Sequence, residues 1–399
     1  MQANALVFQA GGPTTVINAS LAGIITQSLA EPAISNIYGC HWGALGLIED
    51  NIVNLGQEDP AIINGLKNTP SSALGSSRNK LKDADMPRIL EIFRKYQIRY
   101  FFGIGGNDTM LNVYQIEKYC RDNGYELYGM GCPKTVDNDL FGTDHTPGFP
   151  TAARYVALSV LQGGILARDM QKVDQFVIYQ TIGRDAGWLA AAAFAAKKTE
   201  CDPPHIILLP EVAFDPEKFF SKFETVYRRC GFVSVICGEG IVYADGTPVS
   251  ASQVTDNFSN VEFGAMGGTS AAMMLHRMIC NKYGYRGEFQ VPESLPMCAA
   301  DRAVPGDVEE AFELGKSAVI FAVNGNSGLM TSLIRESSQP YHVRIGTFPL
   351  DQVAAKTKPV PAEYIADDGM MMTESFRTYI EPLIGALPAY SRLNFIPVK

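Results

Sequence analysis

A chain of 399 residues, 46% apolar and 19% charged, is long enough for two domains with sizeable cores and too apolar to be disordered. Its formal net charge of -9 speaks against a nucleic-acid or anionic-membrane surface, so an anionic ligand must be met by local positive charge. The eight cysteines are scattered, without a CxxC pair or histidines at metal-ligand spacing, and read as reduced, mostly core thiols; with no apolar run near the roughly 18 residues of a membrane span and no leader-like N-terminus, a cytoplasmic protein is expected.

In chain order, short apolar runs alternate with longer helical patterns, the rhythm of a parallel sheet with crossover helices. Asn4 to Gln9 reads as a strand, Thr15 to Ala30 as a helix and Asn36 to His41 as a strand. Helix Met86 to Tyr96, strand Arg99 to Ile104, helix Met110 to Asn123 and strand Glu126 to Gly131 follow. After a turn-rich stretch from Gly142 to Pro150 the rhythm restarts. It runs through helix Thr151 to Ala167, strand Gln175 to Gln180, helix Gly187 to Lys197, strand His205 to Leu209, helix Pro216 to Cys230 and strand Val233 to Cys237. Helices over Gly267 to Tyr283 and Asp307 to Val323 come next, with an ambiguous stretch to Met297 between them, and Lys356 to Pro361 reads as a loop.

The densest chemistry is Pro133-Lys134-Thr135-Val136-Asp137-Asn138-Asp139, one lysine and two carboxylates directly after an apolar strand. If that backbone stays extended, Asp137 and Asp139 share a face and Asn138 points elsewhere, so one carboxylate can hold a metal while the other accepts a proton. Two glycine loops, Gly11-Gly12-Pro13-Thr14-Thr15 and Gly103-Ile104-Gly105-Gly106-Asn107-Asp108, each sit where a strand hands over to a helix. There backbone N–H groups and the helix dipole can meet an anion, although a tight turn, or an Asp108 helix cap, accounts equally for either loop alone. Ser72 to Arg78 is a small-residue loop ending in a guanidinium suited to a phosphate gaining charge. Thr181 to Trp188, carrying Ile182, Gly183 and Arg184, and then Pro210-Glu211 follow two further strands and suit hydroxyl recognition. Gly315-Lys316-Ser317 imitates the end of a Walker A loop, but Glu310 stands where its first glycine belongs. The five histidines show no ligand spacing and take no catalytic role.

In this order the motifs resemble the phosphofructokinase family, most closely its pyrophosphate-dependent branch, from Gly11-Gly12 through Ala386-Leu387; the tail segments Pro340-Tyr341 and Pro382-Leu383-Ile384 look like that branch too. The resemblance implies an α/β phosphofructokinase fold, two stacked Rossmann-like domains with mainly parallel sheets flanked by helices and the active site between them. Residues 1–144 would bind the donor, with part of 288–350 packing back on them; 145–287 would bind the acceptor, and 351–399 would form a tail. It further implies a homodimer that uses Mg2+ to pass a phosphoryl group reversibly from pyrophosphate to the 1-hydroxyl of fructose 6-phosphate.

By position, Asp137 is similar to the family's general base, and Asp139 and Asp108 to its metal-associated carboxylates. Gly12, Gly106, Asp108 and Lys134 match donor contacts, and Arg78 would stabilise charge during transfer. Thr135, Asp137, Ile182, Gly183, Arg184 and Glu211 match acceptor contacts. Asp108 stands where ATP-using relatives carry a glycine, and its carboxylate would obstruct and repel a nucleotide's α-phosphate; Lys134 supplies charge beside a compact donor. Asn107 departs from the acidic residue of many relatives. Met297 falls where an arginine that holds the acceptor's own phosphate is expected and Gln175 where an arginine often reaches into the neighbouring subunit, and each lost charge-assisted bond costs about 1.5–3 kcal/mol. Arg277 or Arg286 is a candidate to compensate. The alternatives are therefore a pyrophosphate-dependent kinase of another sugar phosphate or of an uncharged polyol such as inositol, and a regulator that binds sugar phosphate without turnover.

Overall fold

The computed structural model describes residues 3–77, 81–251, 254, 267–353, 356–394 and 396–398. Strand β1, Ala3–Gln9, is buried along almost its whole length, as a strand covered by helices on both faces must be. It lies at the centre of a seven-stranded sheet with β2 (Ile34–Cys40), β3 (Ile52–Asn54), β4 (Ile98–Gly105), β5 (Tyr128–Pro133), β10 (Leu329–Ser338) and β11 (Tyr341–Pro349), in the order β11-β10-β5-β4-β1-β2-β3. The pairings are parallel except at the two margins, β2 with β3 and β10 with β11. Two strands late in the chain, which the sequence pattern did not announce, thus complete the first sheet.

The second sheet, β7-β8-β6-β9, contains β6 (Phe176–Thr181), β7 (Ile206–Leu208), β8 (Val233–Gly238) and β9 (Gly287–Gln290), all parallel. Helix Phe149–Asp169 joins the two sheets in sequence, and its buried face packs on the alanine run Ala190 to Ala196. The expected helix Gly187 to Lys197 is a short α-helix, Trp188–Ala192, that tightens into a 3-10 turn, Ala193–Ala196. The tail helix Glu374–Ile384 seats Phe376, Tyr379, Ile380 and Leu383 in the same core.

Three sequence expectations need correction. Gly267 to Tyr283 begins as a helix only at Ala271, where the Ser270 hydroxyl accepts from the Met273 N–H at 3.1 Å. The ambiguous stretch before Met297 supplies the edge strand β9 and a 3-10 turn, Leu295–Met297. Finally, the cysteines are not all reduced: Cys201 and Cys230 form a disulfide, with Cα atoms 5.4 Å apart. The fold brings the loop before β7 against the end of helix Pro216–Cys230, a tertiary proximity that no local spacing announces. Cys40, Cys120 and Cys132 are core thiols whose burial pushes them up to about 12.

The false Walker ending has a packing explanation. Gly315 lies inside helix Pro305–Val323, and a β-carbon there would come within 2.1 Å of the Ser20 carbonyl. Gly23, on helix Ile17–Ala30, would equally strike the Phe312 carbonyl at 2.1 Å. These glycines let two helices cross backbone to backbone, and Lys316 pairs with Glu313 at 2.8 Å.

Candidate active site

Neighbouring parallel strands β1 and β4 deliver their carboxyl ends, and hence both glycine loops, to one crevice, the usual location of ligands in such sheets. Gly11 has a left-handed φ of 76°, so the turn out of β1 requires glycine. Gly106 caps helix Asn107–Asp122, and its carbonyl accepts from the N–H groups of Thr109 and Met110. A β-carbon on Gly106 would meet nothing nearer than 3.8 Å, which leaves the helix start open to a ligand. Asp108 is exposed in the first turn of that helix.

β5 ends at Pro133, between these loops. Lys134 is buried (2% exposed); its N–H bonds the Gly105 carbonyl at 3.0 Å and its ammonium donates to the Gly12 carbonyl. One residue therefore bridges both glycine loops, its backbone holding the second and its cation the first. The backbone then turns through Val136 and Asp137, and Asn138 takes a left-handed φ of 54°, so the segment is not the extended strand expected of it. Asn138 still points away, into buried bonds with Tyr379 Oη (3.0 Å) and the Thr146 N–H (3.1 Å).

Asp137 is the most perturbed acid of the crevice. Burial, with Asp139 adding repulsion, pushes its carboxyl up to about 7, while Lys134 and Arg184 oppose the rise. Its Oδ1 is buried and has no hydrogen-bond partner among the described residues. A β-carbon on Gly183, at a φ of 114°, would stand 3.9 Å from that oxygen, so the loop after β6 faces the carboxylate. A carboxyl poised near neutrality with a vacant acceptor is suited to taking a proton from an alcohol. The Thr135 hydroxyl accepts from the Asp137 N–H at 3.1 Å and shapes the turn.

Asp139 is also raised by burial, and its Oδ2 accepts from Asn107 Nδ2 at 3.2 Å. Asn107 Oδ1 is buried without a partner among the described residues. These oxygens, with exposed Asp108 one residue away, are the hard donors a Mg2+ ion prefers. No group of three or more His, Cys, Asp or Glu that could hold a metal occurs among the described residues.

The second sheet contributes the other wall. Arg184 is exposed, Ile182 packs on the core beneath, and the Gly183 N–H donates to Glu239 Oε1 at 3.2 Å. Glu211 Oε1 accepts from the N–H groups of Gly187 (2.9 Å) and Val360 (2.8 Å), its Oε2 is buried without a partner among the described residues, and burial raises its pKa. Glu239 was missed in the sequence, although it follows β8 just as Glu211 follows β7. Burial, Asp137 and Glu293 push it up to about 7. Gly12 faces this wall directly: Met297 Cε lies 2.7 Å from where a Gly12 β-carbon would stand. Arg277 and Arg286 are exposed, the latter 3.5 Å from Asp174. Arg78 lies outside the described residues.

The sequence and the fold recur in known proteins. The family model described as Phosphofructokinase matches residues 4–288. The chain belongs to the phosphofructokinase family. Curated relatives named pyrophosphate–fructose 6-phosphate 1-phosphotransferase are 37% identical in Xanthomonas campestris pv. campestris (96% of this chain, 91% of that one) and 35% identical in Halomonas elongata (96% and 92%). The crystal structure titled pyrophosphate-dependent phosphofructokinase from Nitrosospira multiformis superposes with a TM-score of 0.88 at 34% identity, covering 99% of this chain and 95% of that one. The family resemblance read from the motifs and the α/β phosphofructokinase fold are thus both observed, and the relatives lie in the pyrophosphate-dependent branch that Lys134 and Asp108 indicated.

Proposed function

We propose that this phosphofructokinase-family protein transfers a phosphoryl group from pyrophosphate to the 1-hydroxyl of fructose 6-phosphate, reversibly and with Mg2+, as a cytoplasmic homodimer. The observation that carries the reading is the pairing of buried Lys134, bonded to the Gly12 carbonyl, with Asp137, whose free oxygen faces the acceptor wall. Pyrophosphate lies against the glycine loops, where Lys134 and the start of helix Asn107–Asp122 offset its charge. Asp108 fills the space a nucleotide would need. Asp137 accepts the proton of the sugar hydroxyl as that oxygen approaches phosphorus, and Glu211, Arg184 and the Gly183 loop orient the sugar. Asp139, Asp108 and Asn107 Oδ1 are the oxygens that would hold Mg2+, which when bound screens the charge of the donor phosphates. Asp137's poise argues against a regulator without turnover, since binding alone needs no base. The names of the relatives favour fructose 6-phosphate over an uncharged polyol.

The test is a panel of pyrophosphate or ATP with Mg2+ against fructose 6-phosphate, sedoheptulose 7-phosphate and inositol, following formation of the phosphorylated acceptor. Turnover with pyrophosphate and fructose 6-phosphate, and recovery of pyrophosphate from phosphate and fructose 1,6-bisphosphate, is the expected result. Turnover with ATP but not pyrophosphate overturns the donor, and a preference for inositol overturns the acceptor. Light scattering of the purified protein tests the dimer.

A further inference from the structure

Lys358 lies beyond the residues the family model matches, in a stretch that in sequence looks like nothing more than a loop. In space it is tied to loops from both sheets. Its N–H donates to the Asp139 carbonyl at 2.7 Å, and its own carbonyl accepts from Trp188 Nε1 at 2.9 Å. Its ammonium donates to Asn138 Oδ1 (3.2 Å) and to the carbonyls of Thr143 (3.0 Å) and Asp144 (2.8 Å). Two residues on, the Val360 N–H holds Glu211 Oε1.

Three oxygens converge on a group that has exactly three donors to give, so no polar atom in this knot needs water to satisfy it. The knot sits where the backbone most needs support. Asn138, between the two aspartates, holds a left-handed φ that asparagine tolerates and that its bonded surroundings select here over the extended alternative. Those surroundings are Lys358 and the Thr146 N–H on its carbonyl oxygen, and the Tyr379 hydroxyl on its amide nitrogen. The same Tyr379 hydroxyl donates to the Asp144 carbonyl at 3.0 Å. Lys358 touches neither glycine loop nor, through its ammonium, any carboxylate. Among the described residues its ammonium hydrogen-bonds backbone and amide oxygens between Asn138 and Asp144, lies 5.1 Å from the centre of the Trp188 ring, and acts on the Asp144 and Asp139 carboxylates through space.

We infer that Lys358 is a positioning residue for phosphoryl transfer, clamping the turn at Asn138 so that Asp137 and Asp139 hold their places, while the adjoining backbone at Val360 sets Glu211 by the same strap. The inference rests on the phosphotransfer reading above. It separates two properties that a structural lysine would lose together, because the donor loops and most of the acceptor wall do not depend on it.

The experiment compares Lys358→Met with the wild type on whichever donor and acceptor the wild type turns over, so a failed donor assignment shows in the wild type and leaves the comparison intact. Displacing the base by the order of 1 Å costs about a hundredfold in rate. The expected result is therefore a kcat lowered about a hundredfold with KM for both substrates unchanged, and Lys358→Arg, which keeps the cation and its donors, recovering part of the loss. A kcat equal to wild type, or a loss in kcat matched by an equal loss of pyrophosphate affinity in calorimetry, overturns the inference. Where Lys358→Met does not fold, Tyr379→Phe removes only the hydroxyl that holds Asn138 from the other side, and an unchanged kcat there overturns it as well. A crystal structure of either variant supplies a readout independent of activity. The turn at residues 136–139 should be displaced, and finding it unmoved overturns the inference.

Discussion

Replacing Asp137 with asparagine should make the protein slower and more stable at once. Burial with Asp139 close by lifts this carboxyl from 3.8 to about 7. At pH 8 the folded state therefore carries an ionised group that it would rather keep protonated, and the shift corresponds to roughly 4 kcal/mol of destabilisation, an upper figure because Asp137 and Asp139 titrate together. The sign follows from the folded value lying above the unfolded one: the destabilisation is complete above about 7 and fades as pH falls toward 3.8. Asp137→Asn keeps the shape and removes the charge. Without metal or substrate, its thermal midpoint should exceed the wild type's at pH 8, and the gap should shrink as pH is lowered toward 4. The same change removes the base, a loss of about 10²–10⁴ in kcat, while pyrophosphate affinity measured by calorimetry stays. The rising limb of wild-type activity between acid and neutral pH should also vanish in the variant. A kcat within tenfold of wild type, or a lower thermal midpoint at pH 8, would refute the argument that Asp137 is a base held at a cost in stability.

Three further outcomes follow from the geometry. Lys134→Met removes the cation that restrains Asp137, so the acid limb of activity should move to higher pH and KM for pyrophosphate should rise; steady-state kinetics between pH 5 and pH 9 checks both. Met297→Arg installs a charge-assisted donor against the acceptor wall, worth about 1.5–3 kcal/mol or about tenfold to a hundredfold in KM for fructose 6-phosphate; an unchanged KM places the sugar's phosphate elsewhere. His145 is fully buried between Asp144 (2.9 Å) and Glu310 (2.8 Å), and although burial disfavours its charge, the two carboxylates raise it from 6.5 to about 9. The stability it contributes is complete below pH 6.5 and lost as pH rises through about 9, so the difference in thermal midpoint between wild type and His145→Gln should narrow across that interval.

How far the sequence could be read depended on whether each feature is local. Strand β1, the glycine loops and the Lys134 to Asp139 cluster announce themselves within a dozen residues, because a buried parallel strand must be apolar and a phosphate-facing turn must be small. Glu239 was equally legible. It stands one residue past β8, where a boundary drawn at Cys237 simply stopped too soon. The turn at Asn138 was not legible, since an asparagine fits an extended strand as readily as a left-handed bend until its side-chain partners are known. Those partners, Tyr379 and Lys358, lie more than two hundred residues away, Glu310 lies 165 residues from the His145 whose charge it balances, and the Cys201–Cys230 bond depends on a fold-level contact too.

The consequence for function is specific. The residues proposed to touch substrate sit at strand ends, where sequence order and sheet topology bring them together, and a motif reader finds them. Beside the Thr146 and Gly187 N–H groups, the atoms that hold those side chains in place come from the tail: Lys358 and Tyr379 on the aspartate turn, and the Val360 N–H on Glu211. A carboxylate raised to about 7 is useful only if it cannot relax toward water, and burial alone would let the turn shift to relieve it. The tail removes that freedom by satisfying the turn's carbonyls with donors of fixed position. On this inference the tail, residues 351–399, serves the reaction without touching a substrate, and its residues carry no motif because backbone oxygens, unlike phosphates, can be held by any well-placed donor.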